Sequence, residues 1–183
     1  SDRVLLVEGK TERRLISHIY EEVKNETLQE ARIAVVGVGG GGSVSKCYEI
    51  LDTMGMNVRA LVDLDFVFLD AIHHDLLEEE DDHIQSCRGK HADEAPVLHA
   101  SDGAAHLADR GVAETEIQRL HEKMKRQGYW VWTDGAIEEH LGIDDKDESA
   151  WAEFNEQLRD NDFGEVVDDD ESVQELVEWL NEM

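Results

Sequence analysis

The sequence predicts an α/β fold in which a parallel β-sheet of about four strands is flanked by helices. Two observations lead to this prediction. Short continuous apolar runs, typical of strands buried on both faces, alternate with segments whose apolar residues recur at helical spacing. Residues 3–62 follow this alternation as β-α-β-α-β. Right-handed crossovers between such units give a parallel sheet that is covered on both faces.

The first part of the chain supplies three strands and two helices. The strands are predicted at residues 4–7, 33–36 and 58–62. We expect Thr11 to cap the first helix, because a threonine hydroxyl can accept a hydrogen bond from a free amide of the first turn. The inner faces of the two helices are predicted at Leu15, Ile16, Ile19, Tyr20 and Val23, and at Val44, Cys47, Tyr48, Leu51 and Met54.

The alternation breaks after residue 66. Residues 67–127 contain polar helical segments and no clear strand, which predicts a helical insertion; its acidic run at 75–83 is interpreted as a solvated loop or helix end. Residues 129–132, YWVW, predict the fourth strand. Two amphipathic helices follow within residues 149–183, with apolar faces at Trp151, Phe154, Leu158, Val173, Leu176, Val177 and Leu180. We expect residues 1–183 to form one domain, with its core at 3–66 and 129–142.

The charge of the chain is extreme. It carries 44 acidic and 17 basic residues, for a net charge of -27, and such self-repulsion destabilises a compact state unless salt screens it. A disordered acidic chain is the alternative, but 40% of the residues are hydrophobic and recur periodically. We therefore predict a folded domain from a halophilic organism.

Cysteine usage and hydropathy indicate the compartment. Cys47 and Cys87 form no disulfide framework, which predicts a reducing, cytoplasmic location. No apolar run reaches the roughly 18 residues of a membrane helix. The nine histidines show no ligand spacing alongside the cysteines, so a zinc site is not expected.

A glycine run at residues 37–42 follows the second strand and satisfies G-x-G-x-x-G. With Asp63 further along the chain, this pattern resembles a dinucleotide-binding turn. However, that turn belongs after the first strand, and Ser43 stands where a phosphate-binding loop requires lysine. We interpret the run as a tight turn before a helix that begins near Ser43. Its contacts to a nucleic-acid phosphate are predicted from the amides of Gly41 and Gly42 and the hydroxyls of Ser43 and Ser45; an inert turn is the alternative.

Carboxylates follow three of the predicted strands. They are Glu8, Glu12, Asp63, Asp65 and Glu138. Because ligands bind beyond the carboxyl ends of parallel strands, these acids converge if the first and third strands are neighbours. Acids packed so closely require a cation, and oxygen ligands favour Mg²⁺ or Mn²⁺. We expect the Asp-x-Asp pair to point to one side of the departing strand. For Glu12, the alternative is a simple interaction with the helix dipole.

Several of these segments resemble one family. "VLLVEGKTERRLI", "ALVDLDF" and "DGAIEEHLG" resemble the motifs of the Toprim domain, most closely the C-terminal Toprim module of OLD-family ATP-dependent nucleases. The resemblance implies that the five acids hold two divalent ions and that the substrate is DNA, with RNA as an alternative. It also implies an N-terminal ABC-type ATPase module, so that this chain is part of a larger protein, and a possible homodimer through that module.

The resemblance predicts metal-dependent phosphodiester hydrolysis. We expect Asp63 to bridge two ions, one also held by Glu8 and Glu12 and the other by Asp65 and Glu138, so that Glu8, Asp63 and Asp65 are catalytic. Two other classes remain open: a nicotinamide-dependent oxidoreductase and a catalytically silent interaction module.

The cations of the predicted site are harder to assign. Lys46 is a candidate for neutralising transition-state charge, and Lys10 and Arg13 for contacting phosphate. Related nucleases use a lysine after the last acidic motif. Here Lys146 lies in "DDKDE", where a solvated charge cluster is expected, and Arg159 is the only later cation. Other cations available to nucleic acid are Arg14, Arg88 and Lys90.

Overall fold

The centre of the protein is a four-stranded parallel sheet. The computed structural model describes residues 3–91, 98, 101–109, 111 and 113–183. The strands are β1 (Arg3–Val7), β2 (Ile33–Gly37), β3 (Asn57–Val62) and β4 (Tyr129–Val131). Their order is β2-β1-β3-β4, and every neighbouring pair is parallel. The predicted α/β class is therefore confirmed, and β1 and β3 are neighbours.

Helices cover both faces of this sheet. They are α1 (Lys10–Lys24), α2 (Gly41–Thr53), α3 (Asp70–His73), α4 (Asp82–His91), α5 (Ser101–Asp109), α6 (Glu114–Lys125), α7 (Ile137–Leu141), α8 (Glu148–Asp160), α9 (Phe163–Val166) and α10 (Asp170–Asn181). A 3-10 helix, Leu64–Phe68, follows β3 directly. The C-terminal region thus contains the short α9 in addition to the two predicted helices.

Two apolar cores lie on opposite faces of the sheet. Along β1, Val4 and Leu6 point into the core formed with α2 and the inserted helices. Leu5 and Val7 point into the core formed with α1 and the C-terminal helices. Since successive strand residues face opposite sides, burial of both faces explains why β1 is a continuous apolar run.

The described part of the inserted segment contains helices joined by turns and no strand, as predicted. It is more than a polar cover, because Ile84, Leu107 and Leu120 are buried in the core beside the sheet. The acidic run at 75–83 is largely a solvent-exposed loop before α4. Residues 92–97, 99–100, 110 and 112 of the predicted insertion lie outside the described residues.

Three local predictions are wrong. Helix α1 begins at Lys10 with Gly9 at its N-cap, so Thr11 lies inside the helix and does not cap it. Helix α2 begins at Gly41, earlier than expected. Met54 follows the end of α2 and is 70% exposed, because the chain turns away there through Gly55, whose φ is +76°.

None of the helices in the described ranges combines the length and apolar content needed to cross a lipid bilayer. Both cysteines are free thiols. Cys87 is buried and Cys47 is partly buried.

Candidate metal centre

The sheet register brings the ends of β1 and β3 together. Val7 pairs with Leu61, so Glu8 and Asp63 leave the sheet at the same edge. The backbone amide of Asp63 donates a hydrogen bond to Oε2 of Glu8 at 3.5 Å. The amide of Gly41, at the start of α2, also hydrogen-bonds the Glu8 carboxylate. Glu8 is therefore held between the end of β3 and the first residue of α2.

Asp63 lies at the centre of the acidic side chains. Burial raises its pKa to about 9, and the charges of four neighbouring acids add to this shift. Those neighbours are Glu12, Glu8, Asp65 and Glu138. Its Oδ1 atom is buried and has no hydrogen-bond partner among the described residues. A carboxylate in such surroundings requires either a proton or a cation.

Glu8 and Glu12 share this environment. Burial raises the pKa of each to about 7, with a further contribution from neighbouring carboxylates. Glu12 is only 2% exposed, so a surface interaction with the helix dipole does not account for it. A Cβ atom on Gly9 would lie 2.5 Å from Oε2 of Glu12. The glycine of the Glu-Gly sequence therefore makes room for the second glutamate.

The turn after β4 carries Glu138 to the same place. The amide of Leu64 donates to the carbonyl of Gly135 at 2.8 Å, which joins this turn to the 3-10 helix. Gly135 has a φ of +122°, a conformation that favours glycine. Glu138 is 5% exposed and accepts hydrogen bonds from Thr11 Oγ1 at 2.5 Å and from Lys146 Nζ at 3.1 Å.

Asp65 reaches the site differently from the way we expected. Strand β3 ends at Val62, and Asp63 is the N-cap of the 3-10 helix that contains Asp65. A shared side of a strand therefore does not explain the pair; the tight 3-10 turn does. Burial raises the pKa of Asp65, and the charge of Asp70 adds to the rise.

Asp70 is a site residue that the sequence analysis missed. A Cβ on Gly41 would lie 2.5 Å from Oδ2 of Asp70 and 2.9 Å from the ring of Phe66. The glycine turn therefore makes room for a carboxylate. The charge of Asp70 also contributes to the raised pKa of Glu8, after burial and Asp65. Because the sequence contains 44 acidic residues, nothing in it distinguished Asp70 as part of the site.

The charges of the acids act unevenly on one another. After burial, the charges of Asp65 and Asp70 raise the pKa of Glu8, whereas the charge of Glu138, and then that of Glu8, raises the pKa of Glu12. The strongest of these effects link Glu8 with Asp65 and Glu12 with Glu138, whereas the predicted pairing for the two ions was Glu8 with Glu12 and Asp65 with Glu138.

Comparisons with known proteins agree with this geometry. The family model for the overcoming lysogenization defect protein-like (OLD-like) TOPRIM domain matches residues 1–65. The Old nuclease of Escherichia phage P2 is 27% identical over 197 residues, covering 98% of this chain and 33% of the nuclease. Both comparisons support an OLD-like Toprim domain. The chain spans about a third of the length of this curated relative. No solved structure matches it.

In this Toprim-like domain the cation that contacts the acids is Lys146. Its side chain is 61% exposed, as expected of a solvated charge cluster, but it also pairs with the buried Glu138. Burial acts to lower the pKa of Lys146, but the charges of Glu138, Asp63 and Glu139 raise it overall. Lys46 is exposed on α2 and makes no hydrogen bond or ion pair with the acids in the described structure. Arg159 lies on α8 and donates to the carbonyl of Asn155 at 3.1 Å.

The glycine turn of the Toprim-like domain is a poor site for pyrophosphate. The amide of Gly41 already faces Glu8, and Asp70 packs against Gly41 and Gly42. A dinucleotide would therefore meet like charges, which disfavours the oxidoreductase interpretation. Ser45 is 4% exposed and lies on the inner face of α2, which disfavours its predicted contact with phosphate. Ser43 is half-buried.

Two further exposed cations lie near the acids, at the start of α1. Lys10 and Arg13 are both exposed. The Cδ atom of Arg13 would lie 3.2 Å from a Cβ on Gly37, which places Arg13 beside the glycine turn. The other cations considered are paired with carboxylates. These pairs are Arg14–Glu148, Arg88–Glu79 and Lys90–Glu116.

A second group of side chains, absent from the sequence analysis, comprises Asp134, His140 and Asp169. The ring of His140 is fully buried, and its Nδ1 lies 2.6 Å from Oδ2 of Asp169. The amide of Asp134 donates to Nε2 of His140 at 3.2 Å, so the proton of the neutral ring is on Nδ1. With both ring nitrogens engaged, this group fits a clamp between the β4–α7 turn and α10 better than it fits a metal site.

Proposed function

We propose that this domain is a divalent-metal-dependent endonuclease module that hydrolyses phosphodiester bonds in DNA. The observation that carries the proposal is Asp63, which stands among four other acids with one oxygen buried and unpartnered. The similarity to the Old nuclease supports the same activity. RNA is the alternative substrate, because the acids act on the phosphodiester group common to both.

The donor atoms of the site suit Mg²⁺ or Mn²⁺, and we propose two ions. All the ligands are carboxylate oxygens, which hard divalent cations prefer. The charges of all four other acids act on Asp63, which would contribute to both ions; Glu8 and Asp65 would hold one ion, and Glu12 and Glu138 the other. When bound, such ions activate a water molecule and stabilise the leaving 3′ oxygen.

The path of the nucleic acid follows from the charges around the acids. A cavity of about 470 Å³ adjoins Glu138 and is lined by further acids, among them Asp134, Asp144 and Asp168. Phosphates are repelled from that side. We therefore propose that the strand approaches over the start of α1 and the glycine turn, where Lys10 and Arg13 are exposed.

Reversing these two charges should weaken DNA binding. We expect Lys10→Glu combined with Arg13→Glu to lower the affinity for a phosphorothioate-linked duplex by about tenfold or more in 0.1 M salt, because two phosphate contacts become repulsive. The effect should shrink in molar KCl, where counterion release contributes little. Fluorescence anisotropy measures both affinities.

Arg126→Glu provides the matched control, because Arg126 is exposed just before β4 and therefore near the opposite edge of the sheet. Equal losses for the control and for the double variant would show that overall charge, and not this surface, sets the affinity.

We assign Lys146 the role of supplying positive charge at the reacting phosphate. Lys146 pairs with Glu138, and its ammonium group interacts electrostatically with Asp63. The ammonium group can therefore stabilise negative charge that develops on a phosphate bound at these acids. We expect Lys146→Met to slow cleavage by about 10²-fold while the protein still binds Mn²⁺. Single-turnover cleavage and Mn²⁺ titration separate the two effects.

Lys24→Met is the control for Lys146→Met. It also breaks a Lys–Glu pair, between Lys24 and Glu178, but Lys24 is the last residue of α1, whereas the acidic site lies at the first turn of that helix. A cleavage rate unchanged by Lys146→Met would remove the lysine from the proposed mechanism.

The proposed role includes a larger assembly. We propose that the domain acts beside an N-terminal ABC-type ATPase module and that dimerisation, if present, uses that module. The support is that this chain spans 33% of the Old nuclease. The net charge of -27 further suggests function in concentrated salt, which screens the self-repulsion.

A nicking assay on supercoiled DNA in molar KCl with Mn²⁺ tests the proposal. Metal-dependent nicking, with a parallel assay on RNA, identifies the substrate. Failure to cut either nucleic acid, under any metal or salt condition and with the ATPase module present, would favour the silent interaction module instead.

A further inference from the structure

We infer that Thr11 is a positioning residue that holds Glu138 in the metal centre; this inference rests on the proposed function. Oγ1 of Thr11 donates a hydrogen bond to Oε1 of Glu138 at 2.5 Å, across 127 residues of sequence. Both side chains are buried, with 4% and 5% of their surface exposed. The bond joins the first acidic segment directly to the last.

The hydroxyl of Thr11 has no role in starting its own helix. Gly9 is the N-cap of α1, and no side chain caps that end. Within the described structure, the hydrogen bond of Thr11 to Glu138 is its only side-chain bond. A threonine that served the helix alone would direct its oxygen to the first-turn amides. The hydroxyl serves Glu138 instead.

The two partners of Glu138 differ in how firmly they hold it. Lys146 binds Oε2, but its side chain is 61% exposed and lies in the loop between α7 and α8. Thr11 lies on the first turn of α1, next to Glu12, and is packed in the interior. The buried bond to Thr11 therefore links α1 directly to α7, the helix that carries Glu138.

The hydrogen bond from Thr11 opposes the repulsion between the carboxylates of Glu138 and Glu12. The charge of Glu138 contributes to the raised pKa of Glu12, after burial, so the two side chains repel when both are ionised. A hydroxyl donor to an ionised carboxylate forms one of the stronger hydrogen bonds, and it leaves further lone pairs on Glu138 for an ion. Thr11 thus holds Glu138 beside Glu12 against their repulsion, ready for a shared cation.

The experiment compares Thr11→Val with Thr11→Ser. Valine keeps the shape of threonine and removes the donor, whereas serine keeps the donor. We expect Thr11→Val to weaken Mn²⁺ binding, measured by calorimetry, by about tenfold, as for other residues that orient metal ligands. We expect Thr11→Ser to bind within about twofold of the unmodified chain, since its donor is retained. Far-UV circular dichroism checks that each variant is folded.

Thr27→Val is a matched control, because Thr27 also donates to a glutamate, Glu30, at 2.8 Å but at an exposed position outside the site. It should leave Mn²⁺ affinity unchanged. In a Glu138→Ala background, Thr11→Val should cause no further loss, because its effect passes through Glu138.

Each other outcome has a defined meaning. Unchanged Mn²⁺ affinity in Thr11→Val overturns the inference and leaves the proposed function in place. Equal losses for valine and serine also overturn it, since the methyl group and not the donor would then matter. If the unmodified chain binds no Mn²⁺, the proposed function and the inference both fail.

Discussion

Replacing Asp63 with asparagine is expected to abolish cleavage without disrupting the fold. Asparagine has the same shape but cannot ionise, so the site loses the carboxylate on which the charges of the other four acids act. We expect the nicking rate to fall by on the order of 10³-fold or more, an effect at the upper end for a single group in a polar active site. Nicking of supercoiled DNA in molar KCl with Mn²⁺ provides the measurement.

The same substitution should stabilise the metal-free protein. Burial and four nearby acids keep Asp63 protonated in the folded state up to about pH 9, whereas the unfolded aspartate ionises near pH 4; a neutral amide removes the cost of holding that proton. Asp52→Asn, an exposed acid on α2, is the control and should leave both properties unchanged. Cleavage by Asp63→Asn at the normal rate would contradict the proposed mechanism.

The metal-free protein is expected to lose stability as the pH rises from about 6.5 to 9. Unfolded aspartate and glutamate titrate near pH 4, whereas burial raises the folded pKa of Glu8 and Glu12 to about 7 and that of Asp63 to about 9. In this window the folded state binds more protons than the unfolded state, so the free energy of unfolding falls with rising pH. The contribution is lost once the pH passes the folded pKa values.

The expected size follows mainly from Asp63. Because Asp63 stays protonated in the folded state over the roughly 2.5 pH units from 6.5 to 9, the free energy of unfolding falls by roughly 3 kcal/mol across this range. This change lowers the melting temperature by about 10 °C in a chain of this length. Below this window, His121 has the opposite effect, because burial lowers its pKa. Thermal unfolding in EDTA at a series of pH values measures the slope.

Two comparisons test the origin of that slope. Asp63→Asn should remove most of the loss between pH 7 and 9. Saturating Mn²⁺ should reverse the trend, because the ion binds the deprotonated ligands. A melting temperature independent of pH in EDTA would mean that these carboxylates are not packed as the structure describes.

The proposed site explains how so acidic a chain could act on a polyanion. Surface lysines and arginines contribute little affinity in concentrated salt, and here several of them are paired with glutamates. Divalent ions held by Asp63 and its neighbours would instead attract the phosphate at the point of reaction. In this proposal the acidic surface residues suit the protein to concentrated salt, whereas binding of the phosphate depends on the few carboxylates that hold the ions.

Most of the fold could be predicted from sequence because its signals are local. Continuous apolar runs marked β1, β2, β3 and β4, and helical spacing marked α1 and the C-terminal helices. The errors lay at element ends, namely at Thr11, at the start of α2 and at Met54. At such positions, capping and chain reversal depend on neighbours that are distant in sequence.

The site was predicted in part. Glu8, Glu12, Asp63, Asp65 and Glu138 follow strands or begin helices, and one edge of a parallel sheet collects such positions. The acid grouping, Asp70, the clamp at His140 and the contact of Lys146 with Glu138 could not be predicted. Each depends on how α1, the glycine turn and the β4–α7 turn pack together.

The sequence by itself determined the class of fold, the edge at which chemistry is expected and the oxygen-rich character of the ligands. Only the tertiary structure decided which acids are neighbours, which glycine makes room for a carboxylate and which lysine meets them. The physical reason is range. Periodicity and composition act over a few residues, whereas burial, hydrogen bonds and charge repulsion act between side chains far apart in the chain, as in the hydrogen bond from Thr11 to Glu138 across 127 residues.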